Sequence, residues 1–287
     1  MADASGDLVV QAPSITSDDL ARLVAIADPT AIEAIAPRPG ATVAAWRLRD
    51  ATLSEPFRAA CAAAEVDCAV VPRGRRLADL RVLAFDMDST LITIECIDEI
   101  AAHAGVKDAV SAVTASAMRG EIDFRASLVR RVALLKGLGV DALEAVYRER
   151  LKLSPGAETL LAAARDVGAR TLLVSGGFTF FTDRLRERLA IDTTVSNVLE
   201  VANGRLTGGL LGDIVDADRK AAALVAMRAR HADGGWVVAI GDGANDLPML
   251  RAADVSVAYH AKPVVRAQAT HAIDHGGLDA VLNLFAP

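Results

Sequence analysis

Two carboxylates stand one residue apart at the point where an apolar run of the chain ends. The run covers residues 81–85, and Asp86 and Asp88 follow it. Such a run is typical of a buried parallel strand, and open α/β sheets bind their ligands at the carboxyl ends of these strands. The segment therefore predicts a site, although a solvated turn or a helix start at Ser89 or Thr90 fits the same residues.

Paired carboxylates suit phosphoryl chemistry. One of them can act as a nucleophile that becomes phosphorylated, while the other acts first as a general acid and then as a base. Both also attract Mg²⁺.

A second apolar run, residues 171–174, ends in Ser175, Gly176 and Gly177 ahead of a helix predicted over residues 178–190. Glycine lets a backbone N–H approach an oxyanion closely, and a helix N-terminus favours negative charge. We therefore expect Ser175 to bind a phosphoryl oxygen. A strand, a glycine turn and a capped helix also occur together in α/β proteins without any such role.

A third apolar run, residues 236–240, leads into a glycine-rich loop with Asp242, Asn245 and Asp246. Mg²⁺ prefers hard oxygen ligands, so we predict that Asp242 binds the metal. Asn245 and Asp246 either orient the ligands or cap the next helix.

Upstream of this loop, Lys220 lies in the first turn of a predicted helix. A lysine there is usually solvated, but a fixed cation beside a phosphate would balance charge during phosphoryl transfer.

In this order, the segments resemble the signature set of the haloacid dehalogenase-like phosphohydrolases. Over residues 80–285 the chain further resembles the phosphoserine phosphatases of that superfamily. The following segments carry the resemblance: residues 86–91, 95–101, 127–128, 130–132, 174–178 and 241–246. We expect an α/β fold with a doubly wound, mostly parallel sheet, because three distant clusters meet only if their strands are parallel and adjacent.

The resemblance implies a role for each matching residue. Asp86 attacks the phosphorus and becomes an aspartyl-phosphate, while Asp88 protonates the departing oxygen and later deprotonates the hydrolytic water. Mg²⁺ is bound by Asp86, by the main-chain carbonyl of Asp88 and by Asp242. Three groups bind the phosphoryl oxygens: Ser175, the Gly176 N–H and Lys220.

Residues 94–153 contain few helix breakers and show apolar residues at helical spacing, which predicts a small helical cap. By resemblance, Glu95 receives a substrate ammonium group and Arg131 a carboxylate, a pairing that suits an amino acid. Met118 and Phe124 match positions that line the apolar side of the pocket. Without the resemblance, Glu95 and Arg131 would be surface charges, and Met118 and Phe124 would be core packing.

Upstream of residue 78 the pattern changes. Strands are predicted over residues 8–11, 41–47 and 68–71, helices over 18–26, 30–35 and 55–64, and a linker over 72–76. The series resembles small amino-acid-binding regulatory domains, but a module for packing or for forming a homodimer fits equally well. The predicted organisation is an N-terminal α+β domain (1–78), a catalytic core (79–93 and 154–287) and a cap (94–153).

In the predicted core, a β-hairpin over residues 195–201 and 206–211 surrounds Asn203-Gly204, and further strands cover 254–257 and 270–273.

The composition is that of a compact enzyme: 287 residues, 52% hydrophobic and 24% charged, with a net charge of −6. Basic runs that would indicate nucleic-acid binding are missing, as are apolar stretches near the ~20 residues of a membrane span. The start of the chain lacks the pattern of a secretion signal, which favours a cytoplasmic location. Cys61, Cys68 and Cys96 are predicted to be free thiols.

Taken with the resemblance, these features predict a Mg²⁺-dependent phosphatase that converts phosphoserine into L-serine and phosphate, the last step of serine biosynthesis. Two alternatives stay open. One is a phosphatase or phosphotransferase that acts on another small phosphorylated metabolite. The other is an amino-acid-sensing regulatory protein with a decayed phosphatase domain.

Overall fold

The computed structural model of the protein describes residues 6–286. Its N-terminal part forms an antiparallel sheet with strand order β2-β3-β1-β4, and two helices cover one face. The elements are β1 (Gly6–Ala12), α1 (Ser17–Ala27), β2 (Ala31–Ile35), β3 (Ala44–Arg49), α2 (Glu55–Ala63) and β4 (Asp67–Pro72). Both helices begin at side-chain caps, since Thr16 accepts a hydrogen bond from the Asp19 N–H and Ser54 from the Phe57 N–H.

The remaining chain forms a seven-stranded sheet and the helices around it. Its elements are β5 (Leu80–Phe85), α3 (Cys96–His103), α4 (Lys107–Met118), α5 (Phe124–Ala133), α6 (Val140–Glu149), α7 (Ala157–Asp166), β6 (Arg170–Phe178), α8 (Thr179–Leu189), β7 (Thr193–Ala202), β8 (Arg205–Leu211), α9 (Ala217–His231), β9 (Trp236–Gly241), α10 (Leu247–Arg251), β10 (Val255–Tyr259), α11 (Pro263–Arg266) and β11 (His271–Ile273).

The strand order of the large sheet is β11-β10-β9-β5-β6-β7-β8, and every pairing is parallel except the β7–β8 hairpin. Alternate residues of β5 enter different cores: Val82 and Ala84 pack towards α9 and α10, while Leu83 and Phe85 pack towards α7 and α8. This two-sided burial explains why the strand is apolar throughout. The predicted doubly wound, mostly parallel α/β fold is confirmed.

Helices α3 to α6 lie between β5 and α7 and form the predicted helical insert. Their buried side chains, including Ile100, Leu128 and Val132, join the same hydrophobic core as β5. The tip of the β7–β8 hairpin is hydrogen-bonded to this insert, because the Gly137 N–H donates to the Leu206 carbonyl at 2.8 Å. The division of the chain into three domains at the predicted boundaries stays a prediction.

One predicted element is wrong. Residues 30–35, predicted to be helical, contain β2, an exposed edge strand that pairs with β3 through Ile32 opposite Leu48 and Ala34 opposite Trp46. Pairing with a distant strand overrides the local helix propensity of this segment. The start of β3 also lies three residues later than predicted, because residues 38–41 form a turn in which Gly40 has φ of +75°.

The predicted linker at residues 72–76 is packed against the large sheet. Arg75 is only 8% exposed, lies over the ring of Trp236 and places Nη1 2.8 Å from Nε2 of His271 on β11. Arginine has only donors, so this ring nitrogen must be an acceptor and the imidazole must be neutral. Burial, together with the charge of Arg75, lowers the pKa of His271 to about 4.

In residues 6–286, no helix combines the length and the apolar character that crossing a membrane requires.

The neutral His271 makes stability depend on pH. Between its ordinary pKa of 6.5 and about 4, the unfolded chain binds a proton at this residue and the folded chain does not. The free energy of unfolding should therefore fall with falling pH in this window, by at most about 1.4 kcal/mol per pH unit from this group. Urea unfolding of wild type and His271→Gln at pH 7.5, 5.5 and 4.5 measures it.

We expect His271→Gln to flatten the dependence, because an amide oxygen still accepts from Arg75 but does not titrate. His103→Gln, on the exposed face of α3, is the matched control and should keep the wild-type slope. An equal slope in His271→Gln and wild type would contradict the assignment.

Candidate active site

The strand order places three polar segments side by side. β5 lies between β9 and β6, with Phe85 opposite Ile240 on one side and Leu173 on the other. Asp86 and Asp242 directly follow β5 and β9, and Ser175 lies where the regular pairing of β6 with β7 is interrupted after Val174, so the three emerge at the same edge of the sheet. The convergence predicted from the sequence is therefore present in the fold.

The chain turns sharply after β5. Asp86 accepts a hydrogen bond from the Met87 N–H at 2.7 Å, and Ser89 adopts a left-handed conformation with φ of +54°. This turn directs Asp88 towards the insert, where Oδ1 accepts a hydrogen bond from the Cys96 N–H at 3.2 Å, in the first turn of α3. The second carboxylate is thus held between the sheet and the first helix of the insert.

Lys220 lies beneath the turn and is almost completely buried. Its Nζ is 2.8 Å from Oδ1 of Asp86 and 2.8 Å from Oδ1 of Asp246. Burial alone would lower the pKa of Lys220, but the two carboxylates outweigh burial and raise it. The residue is therefore a fixed cation with no role as a base at neutral pH. The ordinary interpretation of a solvated lysine does not apply here.

Three carboxylates form a cluster at the strand ends. One oxygen each of Asp86, Asp242 and Asp246 lies within 4.8 Å of the others. Burial, with the charge of Asp246, raises the pKa of Asp86 and raises that of Asp242 to about 6. Crowded hard oxygens with excess negative charge are the donor set that Mg²⁺ favours. The residues present therefore fit a divalent cation.

Asp88 has an environment that suits proton transfer. Burial raises its pKa to about 7, and the nearby Glu95 carboxylate adds to the shift. A carboxyl group with a pKa near neutrality can both donate and accept a proton.

The Ser175 loop packs tightly against this turn. Oγ of Ser175 accepts a hydrogen bond from the Gly177 N–H at 2.8 Å, so its hydroxyl proton stays available to an anion. A Cβ atom at Gly177 would lie 2.7 Å from Met87 Cε and 3.1 Å from Asp88 Oδ2. A larger residue would have to displace the end of the Met87 side chain and would crowd the Asp88 carboxylate, so glycine lets the loop backbone lie against the second carboxylate.

A cavity of about 400 Å³ opens above these groups, between the strand ends and the helical insert. Most of the predicted site residues line it: Asp86, Asp88, Glu95, Met118, Phe124, Arg131, Ser175, Gly176, Asp242 and Asn245. Lys220 and Asp246 do not line it but lie behind Asp86.

The insert contributes charges of both signs to the cavity. The Ser89 hydroxyl donates a hydrogen bond to Oε1 of Glu95 at 2.8 Å. The Glu95 carboxylate faces the open cavity, but the surrounding protein atoms still raise its pKa by burial. Arg131 faces the same space, and residues 6–286 supply no ion pair for it. Phe124 packs near Gly176, while Met118 is 73% exposed at the mouth.

Residues 83–251 match the sequence profile of the haloacid dehalogenase-like hydrolases. The chain belongs to this family. The phosphoserine phosphatase of Polaromonas sp. (strain JS666) is 54% identical over 220 residues, which cover 73% of this chain and 91% of that protein.

Solved structures of the family are also similar. A probable phosphoserine phosphatase from Vibrio cholerae, in unliganded form, is 36% identical, covers 99% of this chain and 87% of its own, and has a TM-score of 0.83. A substrate-bound phosphoserine phosphatase complex is 34% identical, covers 72% of this chain and 98% of its own, and has a TM-score of 0.66.

Sequence reasoning missed one buried polar residue of this haloacid dehalogenase-like hydrolase. Asn197 on β7 is 2% exposed; Nδ2 donates to the Gly176 carbonyl at 2.7 Å, and Oδ1 accepts from the Val215 N–H at 2.8 Å. It thereby ties the Ser175 loop to the segment that leads into α9 and Lys220. Its signal in the sequence is an asparagine within a predicted strand, where such residues are rare.

Two further charged residues line the cavity without having been predicted as site residues. Asp98 lies one turn after Glu95 on α3, and Lys262 lies just before α11. Asp98 belongs to the segment 95–101 that carries the resemblance, but no role was expected for it, and Lys262 lies outside those segments.

Loss of the Asn197 bridge should destabilise the protein. Asn197→Ala leaves a buried carbonyl and a buried N–H without partners, which should lower the free energy of unfolding by about 1–3 kcal/mol. Urea unfolding monitored by circular dichroism measures the change. Thr194→Ala, on the same strand but with a single long hydrogen bond at 3.4 Å, is the control and should change little. Equal effects of the two substitutions would contradict the bridging role.

Proposed function

We propose that the protein is a Mg²⁺-dependent phosphoserine phosphatase, which hydrolyses O-phospho-L-serine to L-serine and phosphate. The observation that carries this proposal is the composition of one cavity. Its floor holds Asp86, Asp88 and Ser175, and its roof holds a carboxylate, Glu95, and an unpaired guanidinium, Arg131. A phosphate ester with one ammonium and one carboxylate group complements these charges.

The reaction takes place in two steps on the same pair of carboxylates. Asp86 attacks the phosphorus, the bond to the seryl oxygen breaks, and an aspartyl-phosphate forms. Asp88 gives its proton to the departing oxygen, so that serine leaves as a neutral alcohol. As a carboxylate, Asp88 then takes a proton from water, which attacks the phosphorus and releases phosphate and Asp86.

Asp88 can serve in both directions because its raised pKa keeps a proton available near neutral pH. The Cys96 N–H fixes its carboxylate beside the phosphoryl position without protonating it. The Ser175 hydroxyl and the Gly176 N–H, which line the cavity, bind the phosphoryl oxygens. We expect Lys220, which lies behind Asp86 in this structure, to supply its positive charge to the same phosphoryl group. Lys220 also opposes the effect of burial on the pKa of Asp86 and thereby favours its carboxylate, the form that attacks.

The metal site in this proposal comprises Asp86, Asp242 and the main-chain carbonyl of Asp88. Asp246 stays outside it, because its oxygens accept hydrogen bonds from Lys220 and from the Gly243 N–H. These groups would hold Mg²⁺, which when bound would neutralise charge on the transferred phosphoryl group. Asn245, which lines the cavity, and Asp246 orient these groups.

Substrate recognition falls to the insert. Glu95 receives the ammonium group and Arg131 the carboxylate, while Phe124 and Met118 cover the apolar side of serine. A decayed phosphatase domain is a poorer explanation, because drift would leave no reason to keep Lys220 buried between two carboxylates. Cytoplasmic location, a homodimer, the absence of nucleic-acid and membrane partners, and a regulatory N-terminal domain stay predictions.

Replacement of the nucleophile should abolish turnover. Asp86→Asn keeps the shape of the side chain but removes the attacking oxygen, so phosphate release from phosphoserine with Mg²⁺ should fall by at least about 10⁴-fold. The wild-type rate should disappear with EDTA and return with added Mg²⁺. Asp218→Asn, an exposed acid in the first turn of α9, is the control and should keep full activity. Near-complete activity of Asp86→Asn would remove the nucleophile assignment.

Arg131→Ala should change selectivity more than chemistry. Loss of the guanidinium removes the partner of the substrate carboxylate, so kcat/KM on phosphoserine should fall at least about 100-fold. On p-nitrophenyl phosphate, which has no carboxylate, we expect a fall of less than about threefold. The neighbouring Arg130→Ala is the control, since this exposed residue does not line the cavity. Equal losses on both substrates would count against carboxylate recognition.

A further inference from the structure

One atom of a cationic side chain and one atom of an anionic side chain are buried without hydrogen-bond partners at the roof of the cavity. They are Nε of Arg131 on α5 and Oδ1 of Asp98 on α3, for which residues 6–286 provide no hydrogen bond. Both residues line the same cavity. A buried polar atom without a partner costs about 1–3 kcal/mol, and more when it is charged, so two of them beside one cavity call for an explanation.

Two other charged residues on these helices have partners. Arg125 on α5 forms an ion pair with Asp216 at 2.7 Å, and Glu99 on α3 lies 3.7 Å from Arg150. The unpaired atoms are therefore a property of the cavity side of the insert. The contrast indicates that Asp98 and Arg131 are kept apart from competing partners.

The two side chains also interact at a distance. Burial lowers the pKa of Arg131, and among its charged neighbours Asp98 opposes this effect most, ahead of Glu95 and Asp88. Glu95 already accepts a hydrogen bond from Ser89. Asp98 therefore affects the pKa of Arg131 more than Glu95 does. Its Oδ1 also accepts no hydrogen bond within residues 6–286, whereas Glu95 accepts one from Ser89.

We infer that Asp98 is a positioning residue, which accepts the Nε–H of Arg131 when substrate binds and thereby aims the two terminal nitrogens of Arg131 at the substrate carboxylate. This inference rests on the proposed function. A guanidinium held through Nε keeps its outer edge for two parallel hydrogen bonds to a carboxylate. Asp98 itself touches no reacting atom, and Glu95 remains the partner of the ammonium group.

Three phosphate esters test this role: phosphoserine, phosphoethanolamine, which lacks the carboxylate, and the phosphate ester of 3-hydroxypropionate, which lacks the amine. For Asp98→Asn we expect KM to rise about tenfold for the two esters with a carboxylate, with kcat changed less than about threefold. The ratio of kcat/KM for phosphoserine to that for phosphoethanolamine should therefore fall about tenfold.

Glu99→Gln is the matched control, because it removes one charge from the next position of α3 but does not line the cavity. Its selectivity ratio should equal that of wild type. In an Arg131→Ala background, Asp98→Asn should cause no further loss of carboxylate selectivity, since it acts through the arginine. Equal melting temperatures of Asp98→Asn and Glu99→Gln exclude a folding defect as the cause.

Several results would overturn the inference. A selective loss on the two esters that carry an amine would make Asp98 an ammonium ligand. An equal loss on all three esters, an unchanged ratio, or additive losses in the double variant would also reject it. Failure of the proposed function would give a different result: the wild-type protein itself would not prefer phosphoserine to phosphoethanolamine. That result would reject both the proposed function and the inference about Asp98.

Discussion

The site depends on one buried cation between two carboxylates. Removing a lysine and two aspartates from water costs several kcal/mol per ion, and this cost is offset only when the geometry of the pairs is good. Lys220 meets that condition with two contacts of 2.8 Å. A well-packed apolar group would often be at least as stable, so stability gives little reason for the arrangement. Its consequence is a carboxylate, Asp86, that is fixed in place and faces an open cavity.

A second consequence concerns the charge of the site. Lys220 balances only one of Asp86 and Asp246, while Asp242 adds a further carboxylate at the same strand ends. Burial, together with this excess negative charge, raises the pKa of Asp242 to about 6. A divalent cation would relieve this excess, whereas an approaching phosphate alone would increase it. Phosphate binding and metal binding are therefore linked by electrostatics.

The sequence could predict the features that are set by residues close together in the chain, and it missed features that are set by residues farther apart in the chain. Asp86, Ser175 and Asp242 were predictable because each follows an apolar run, and parallel strands bring such ends together. β2 was not predictable from local pattern, because its conformation is decided by β3, whose residues pair with Ala31–Ile35 across a separate stretch of chain that includes a turn.

Asn197 and Asp98 show a different limit. Asn197 lies in a correctly predicted strand, but its two partners depend on the register of β7 beside β6 and on the path into α9. Asp98 is one of several acids near a helix start, and only the packing of α3 and α5 leaves its oxygen buried.

The N-terminal sheet contributes no described residue to the cavity. It contacts the core elsewhere, through Asp67 on β4, whose carboxylate accepts hydrogen bonds from the N–H groups of residues 274–276. Arg75, in the segment that follows β4, adds a contact with His271. Within the described chain, an influence of that sheet on catalysis would therefore pass through these contacts and not through residues that line the cavity.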